Sequence, residues 1–256
     1  VVWRGVYLAI FVLLVGLLHS AIGHYPAPLP QSPSPRREVV EALLLWGAAL
    51  LFSALVTRAV SPRLERVFPD GTNRQLVLLP LYTLVWVVPF VLATRVKGWT
   101  PAEMGLTWAV RSREAVWFAL AFGVISGIVA YASGRTVMGL KPLAAGELLL
   151  LVYCNAFVEE FYHRGVIQSL LERALGLMPA VWIGGLLFGL THVVFSATML
   201  GGQGGGAVIS ALALQTAGGW ILAIIYAKTR SLWPGVACHY LVNWLPSILA
   251  RLLGVR

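Results

Sequence analysis

Eight stretches of about 20 predominantly apolar residues follow one another along the chain, at 5–23, 39–60, 76–94, 114–133, 146–170, 177–200, 206–227 and 231–253. Nothing else in the sequence limits the fold as tightly. In hydrocarbon every backbone N–H and C=O must be paired within the protein, so a spanning segment is a helix or a strand of a closed barrel. The windows lack the alternation over roughly 10 residues that marks a barrel strand. The sequence therefore predicts an all-α, polytopic integral membrane protein with about eight transmembrane helices. Composition agrees, because 11% of the 256 residues are charged against roughly 25% in soluble domains. That is too few to coat a water-facing surface.

The connections are short and carry turn chemistry. "HYPAPLPQSPSPRRE" (24–38) is Pro-rich and expected to be extended, and "SPRLERVFPDGTNR" (61–74) ends in a Pro-Asp-Gly turn signal. The longest polar stretch, 95–114, has room for a short interfacial helix. "GGQGGG" (201–206) is expected to be a flexible link, since no Lys-Ser/Thr follows it as a phosphate loop requires. The first apolar run is read as a span rather than a signal peptide, because it is long and no clear cleavage site follows. No loop holds a soluble domain, so residues 1–256 are read as a single membrane domain.

The net charge of +9 does not indicate nucleic acid, since the 19 Lys and Arg are scattered in ones and twos with no basic stripe. Flanking basic residues point to membrane lipid as the partner instead. With alternating spans, Arg4, Arg58, Arg63, Arg66, Arg74, Arg135, Lys141, Arg251 and Arg256 fall on one side. Arg36, Arg37, Arg95, Lys97, Arg111, Arg113, Arg173, Lys228 and Arg230 fall on the other. That tie leaves orientation unassigned by the positive-inside rule. Cys154 and Cys238 both lie in apolar runs and read as small buried hydrophobes rather than a disulfide framework.

An ionisable group at mid-membrane costs ~2.5–3.5 kcal/mol on insertion scales, so its presence asks for a reason. In the first four windows His19 and Glu41 lie near span ends, within reach of the interface. The last four contain Glu159, Glu160, His163, Arg164, His192, His239 and Asn243. With antiparallel alternation and ~1.5 Å rise per residue, Glu159, His192 and His239 fall at similar middle depth. Successive helix positions differ by about 100°, so Glu159 and Glu160 face different ways. Glu160 pairs with Arg164 four residues on, acid before base. Glu159 is left sharing its face with Asn155 and His163, free to act as general acid or base.

His239 and Asn243 share one face of the last helix and offer two donors toward a developing oxyanion. His192 would then join Glu159 in holding and deprotonating a water. The combination reads as acyl-bond hydrolysis inside a membrane. Other readings of the same residues stay open. Intramembrane histidines also serve as helix-to-helix hydrogen bonders, and Glu, His and Arg in spans also mark proton-linked transporters. Glu159, His192 and His239 would be the ligand set if a zinc ion were present, although HExxH is absent. GxSxG and a paired intramembrane Asp are absent too, and Ser196 and Ser210 lack a base at fixed spacing.

Three motifs occur in order: "EEFYHR" (159–164) fits EExxxR, "FGLTH" (188–192) fits FxxxH and "HYLVN" (239–243) fits HxxxN. Their order and placement in successive late spans resemble the CPBP family, the CAAX-protease and bacteriocin-processing (Abi) intramembrane proteases. The resemblance covers roughly 114–250, which would be the catalytic core, with 1–113 as variable N-terminal spans. It implies a glutamic intramembrane endopeptidase that needs no cofactor, with Glu159 and His192 holding the attacking water. His239 and Asn243 would stabilise the oxyanion, and Glu160 and Arg164 would support. It also implies a peptide or protein substrate that is lipidated or ends in a membrane segment. Composition and short loops point to a bacterial plasma membrane. The motifs assign nothing to His163.

Overall fold

A computed structural model describes residues 2–134 and 143–254. Each apolar window is the body of a helix. These are α1 (Val2–Ser20), α2 (Pro35–Val67), α3 (Gly71–Arg95), α4 (Arg113–Ser133), α5 (145–175), α6 (Leu177–Gln203), α7 (Gly205–Thr229) and α8 (Trp233–Leu252). No strand occurs among the described residues. By length and composition α2, α3, α4, α6 and α7 can each cross a membrane, and Leu8–Ser20 of α1 is a shorter apolar helix. The chain is thus a polytopic membrane protein. α5, which carries Glu159, and α8, which carries His239, fall outside those five because their apolar runs are interrupted by polar residues.

Turn chemistry sets the ends. The Pro-Asp-Gly signal becomes the start of α3, where the Asp70 side chain accepts from the Thr72 N–H at 3.1 Å. Within 95–114 the expected interfacial helix shrinks to one 3₁₀ turn, Pro101–Met104, held by a reciprocal capping box between Thr100 and Glu103. The Pro-rich segment stays non-helical up to Ser34. It is tied down by Leu29 N–H donating to Glu172 (2.7 Å) and Ser32 N–H to the Arg173 carbonyl (2.8 Å). The glycine run forms a 3₁₀ turn at Gly201–Gln203 and then bends through Gly204 at φ +91°, a conformation that favours glycine.

Helices in lipid gain no hydrophobic drive toward one another, so close association depends on small residues at the contact. Gly185 and Gly189 of α6 provide it against α7. A methyl group at 189 would lie 2.7 Å from the Thr216 Cα, closer than packing allows. Gly123 and Gly127 do the same for α4 against Cys238, Leu241 and Leu245 of α8. Polar side chains then fasten neighbours by hydrogen bonds to main-chain oxygens. Tyr162 O–H donates to Leu45 (2.7 Å), Trp46 Nε1–H to Leu187 (2.9 Å) and Tyr240 O–H to Leu148 (2.8 Å). Large apolar side chains such as Leu13, Leu44, Leu51 and Ile209 point outward, as a lipid-facing surface requires.

The second set of basic residues gathers at one end of the bundle. There Lys97 pairs with Glu38 (3.1 Å), Arg173 with Glu103 (2.6 Å) and Arg230 with Glu172 (2.7 Å). Of the opposite set, Arg74 pairs with Glu65 at 2.9 Å, while Arg135, Lys141 and Arg256 lie outside the described residues.

Candidate active site

α5 is not a regular α-helix. Two π-helical stretches, Val152–Phe157 and Phe161–Gln168, flank the short segment Val158–Glu160 that carries both carboxylates. Such wide turns rotate the side chains that follow away from ideal 100° positions and recur at functional sites. Glu160 is wholly buried, whereas the Glu159 side chain keeps 29% of its exposure.

α6 is interrupted at the motif histidine. Leu177–Thr191 and Val193–Leu200 meet at His192, whose φ −84° and ψ 3° leave the helical region. Its Nδ1 lies 2.9 Å from the Phe188 carbonyl oxygen. A carbonyl only accepts, so the proton is on Nδ1, and in the neutral ring Nε2 presents a lone pair. That Nε2 is 3.7 Å from Glu159 Oε2.

α8 supplies the third and fourth residues. His239 Nδ1 lies 2.9 Å from Glu160 Oε1, leaving Nε2 at 3.9 Å from the same Glu159 Oε2. Both imidazoles therefore turn Nε2 toward one carboxylate oxygen. Asn243 Nδ2–H donates to Asn155 Oδ1 at 3.4 Å, and the Asn155 amide in turn donates to Glu159 Oε1. The structure thus brings Glu159, His192, His239 and Asn243 into one connected group, although they come from three helices. Among the described residues no group of three or more His, Cys, Asp or Glu side chains is arranged to hold a metal ion.

Glu160 and Arg164 are both 1% exposed at the side chain, with Arg164 Nε 3.4 Å from Glu160 Oε2. Arg164 also donates from Nη2 to the Gly219 carbonyl (3.2 Å) and lies over the Phe188 ring at 4.4 Å. The ion pair expected from spacing is present, but Glu160 does more than neutralise Arg164, since its other oxygen holds His239. Gly235 makes room for this carboxylate: a methyl there would sit 3.2 Å from Glu160 Oε2.

Spacing gave no sign of how central Phe188 is. Its ring meets His192 at 4.8 Å, His163 at 5.1 Å and His239 at 5.9 Å between centroids, besides Arg164. His163 is buried edge-on against that ring, and its Nδ1 finds no hydrogen-bond partner among the described residues.

A protein-family model, described as Type II CAAX prenyl endopeptidase Rce1-like, matches residues 141–245. The matched stretch contains all three motifs, from Glu159 to Asn243. It bears out the resemblance to CAAX proteases drawn from those motifs. No curated protein and no solved structure matches the chain.

Proposed function

With residues 141–245 carrying a CAAX-protease domain, we propose that this chain is a glutamic intramembrane endopeptidase in which Glu159 is the general base. The observation that carries this reading is the pair of Nε2 atoms at 3.7 and 3.9 Å from Glu159 Oε2. These gaps exceed a direct hydrogen bond and suit a bridging water. A water between Glu159 Oε2 and His192 Nε2 donates one hydrogen to each acceptor, which aims its oxygen lone pair outward. Glu159 takes one proton as the water attacks the peptide carbonyl carbon. The carbonyl oxygen becomes an oxyanion that accepts from His239 Nε2–H and Asn243 Nδ2–H. As the C–N bond breaks, Glu159 returns the proton to the leaving amine.

Two details support these roles. His239 is tied through Nδ1 to a buried carboxylate, so it is able to carry protons on both nitrogens while Glu160 balances the charge. Asn243 is held by a long contact of 3.4 Å, which an oxyanion replaces at little cost. No step needs a metal. The substrate we propose is a prenylated CAAX-type peptide tail or a similar membrane-anchored C-terminus, cleaved in a bacterial plasma membrane.

The test is cleavage of an internally quenched, prenylated CAAX-tail peptide by the full chain reconstituted in liposomes. Glu159→Gln, His192→Ala and His239→Ala are each expected to lower kcat by roughly 10⁴-fold, as loss of a member of a catalytic unit does elsewhere. Activity near wild type in Glu159→Gln overturns the reading. Insensitivity to chelator is expected; loss of cleavage that zinc restores would replace the metal-free route with a zinc-dependent one on Glu159, His192 and His239.

A further inference from the structure

Asn155 lies outside the three motifs, four residues ahead of Glu159. Its amide orientation is fixed by its neighbours rather than by choice. Trp244 Nε1–H lies 3.1 Å from one end of the amide, and an indole N–H can only donate. That end is therefore the oxygen. Asn243 Nδ2 approaches the same atom at 3.4 Å, filling its second lone pair. The NH₂ end must then point the other way, and there it meets Glu159 Oε1. Trp244 is itself buried, packed with Leu148 and Leu151 of α5, so the indole is a fixed post.

We propose that Asn155, locked by Trp244, is a positioning residue that assigns the two oxygens of Glu159 their separate tasks. Oε1 is engaged by the Asn155 amide, which leaves Oε2 as the oxygen facing His192 and His239. The same amide holds Asn243 in reserve beside the reacting centre, so one side chain links the base to an oxyanion donor. Asn155 lies in the π-helical stretch Val152–Phe157, and the wide turn directs its amide toward α8 as well as toward Glu159. This inference rests on Glu159 being the base.

The test uses the reconstituted full chain and the prenylated peptide, with kcat, KM and thermal inactivation measured together. Asn155→Asp keeps the shape and the oxygen that Trp244 meets but replaces the donor with a second carboxylate oxygen. It is expected to lower kcat by roughly 100-fold, the scale of a misplaced reacting group, with KM and thermal inactivation close to wild type. Trp244→Phe is expected to lower kcat by about 10-fold alone and to have no further effect in an Asn155→Ala background, because the indole acts through the amide. An Asn155→Asp kcat equal to wild type overturns the proposal. So does a Trp244→Phe effect that persists without Asn155. If Asn155→Ala fails to fold, Asn155→Asp and Trp244→Phe decide alone. Glu159→Gln, run in parallel, separates the two ideas. An inactive Glu159→Gln beside a fully active Asn155→Asp removes only the positioning role, whereas an active Glu159→Gln removes both.

Discussion

Replacing Glu160 by Gln changes almost no volume yet sets up a conflict that the site cannot resolve. Both neighbours of this carboxylate present donors: Arg164 Nε at 3.4 Å from Oε2 and His239 Nδ1 at 2.9 Å from Oε1. A carboxylate accepts from His239 with one oxygen and offsets the guanidinium charge with the other, whereas an amide has one accepting end. If its oxygen faces His239, its NH₂ faces a guanidinium that has lost its counter-ion in a site 1% exposed. Removing one partner of such a buried pair costs ~3–5 kcal/mol. The contacts of Arg164 to Gly219 and Phe188 exist before and after, so they offset none of this. The charged neighbour wins the oxygen, and the NH₂ turns to His239. His239 Nδ1 must then accept, which moves the ring proton to Nε2 and fixes the neutral tautomer. The ring keeps its Nε2–H toward the oxyanion but loses the positive charge that Glu160 balanced, and the loss of a whole oxyanion donor, about 10²–10³ in kcat, is the upper bound on that change. Glu160→Gln is therefore expected to lower kcat by roughly 10–10²-fold on the prenylated peptide and to lower the temperature of thermal inactivation. A variant with kcat within about threefold of wild type and an unchanged inactivation temperature would refute the reasoning, since both ties would then be dispensable.

The remaining predictions lie away from the reacting centre. Lys228 is buried with Nζ at 2.6, 3.0, 2.7 and 3.1 Å from the carbonyl oxygens of Leu18, His19, Ile22 and Gly23 at the end of α1. Lys228→Met leaves those oxygens without their donor and is expected to destabilise by about 2–4 kcal/mol, read as earlier thermal inactivation, with cleavage retained below that temperature. Burial pushes the Glu103 carboxyl up, but hydrogen bonds from Thr100 and the Arg173 guanidinium outweigh it and hold it below its usual range. A depressed folded-state pKa contributes stability above the unfolded value of about 4.3, lost as pH falls through the folded value. Wild type should therefore resist heat better than Glu103→Gln near neutral pH, with the two curves converging in acid; a constant gap across pH would contradict this.

The eight helices were legible because hydropathy over 20 residues reports the solvent a segment faces, and lipid leaves little choice of backbone. The Pro-Asp-Gly signal was legible for a local reason, since turn and cap chemistry acts within three residues, whereas the equally local Thr100–Glu103 box went unread inside 95–114. The motif side chains stood out because a polar group in an apolar run has a known cost. What lay hidden depends on contacts across helices or on hydrogen-bond register. Nothing in "FGLTH" announces a break at His192, as it contains no proline and its glycine precedes the kink by three residues. The π turns of α5 are equally silent, because a shift from i+4 to i+5 pairing leaves composition unchanged. The Glu160–His239 bond spans 79 positions and has no local signature. One signal was available: Trp244 follows Asn243 directly, and an indole beside a motif amide in a span requires an acceptor nearby.

These hidden contacts share a logic that adjacency in sequence does not suggest. Each motif histidine has its Nδ1 occupied by an acceptor outside the reacting group, Phe188 carbonyl for His192 and Glu160 for His239. Glu159 has one oxygen occupied in the same way by Asn155. Glu159, His192 and His239 each have two functional atoms, and in each case one is fixed by the scaffold so that the other converges on a common point. A single polar residue in lipid cannot be oriented like this, because it would take whichever partner was nearest. The second carboxylate, the arginine and the amide are therefore needed for the site to have one geometry. On the proposed mechanism, that is why α5 carries a polar cluster where one glutamate would have supplied the base.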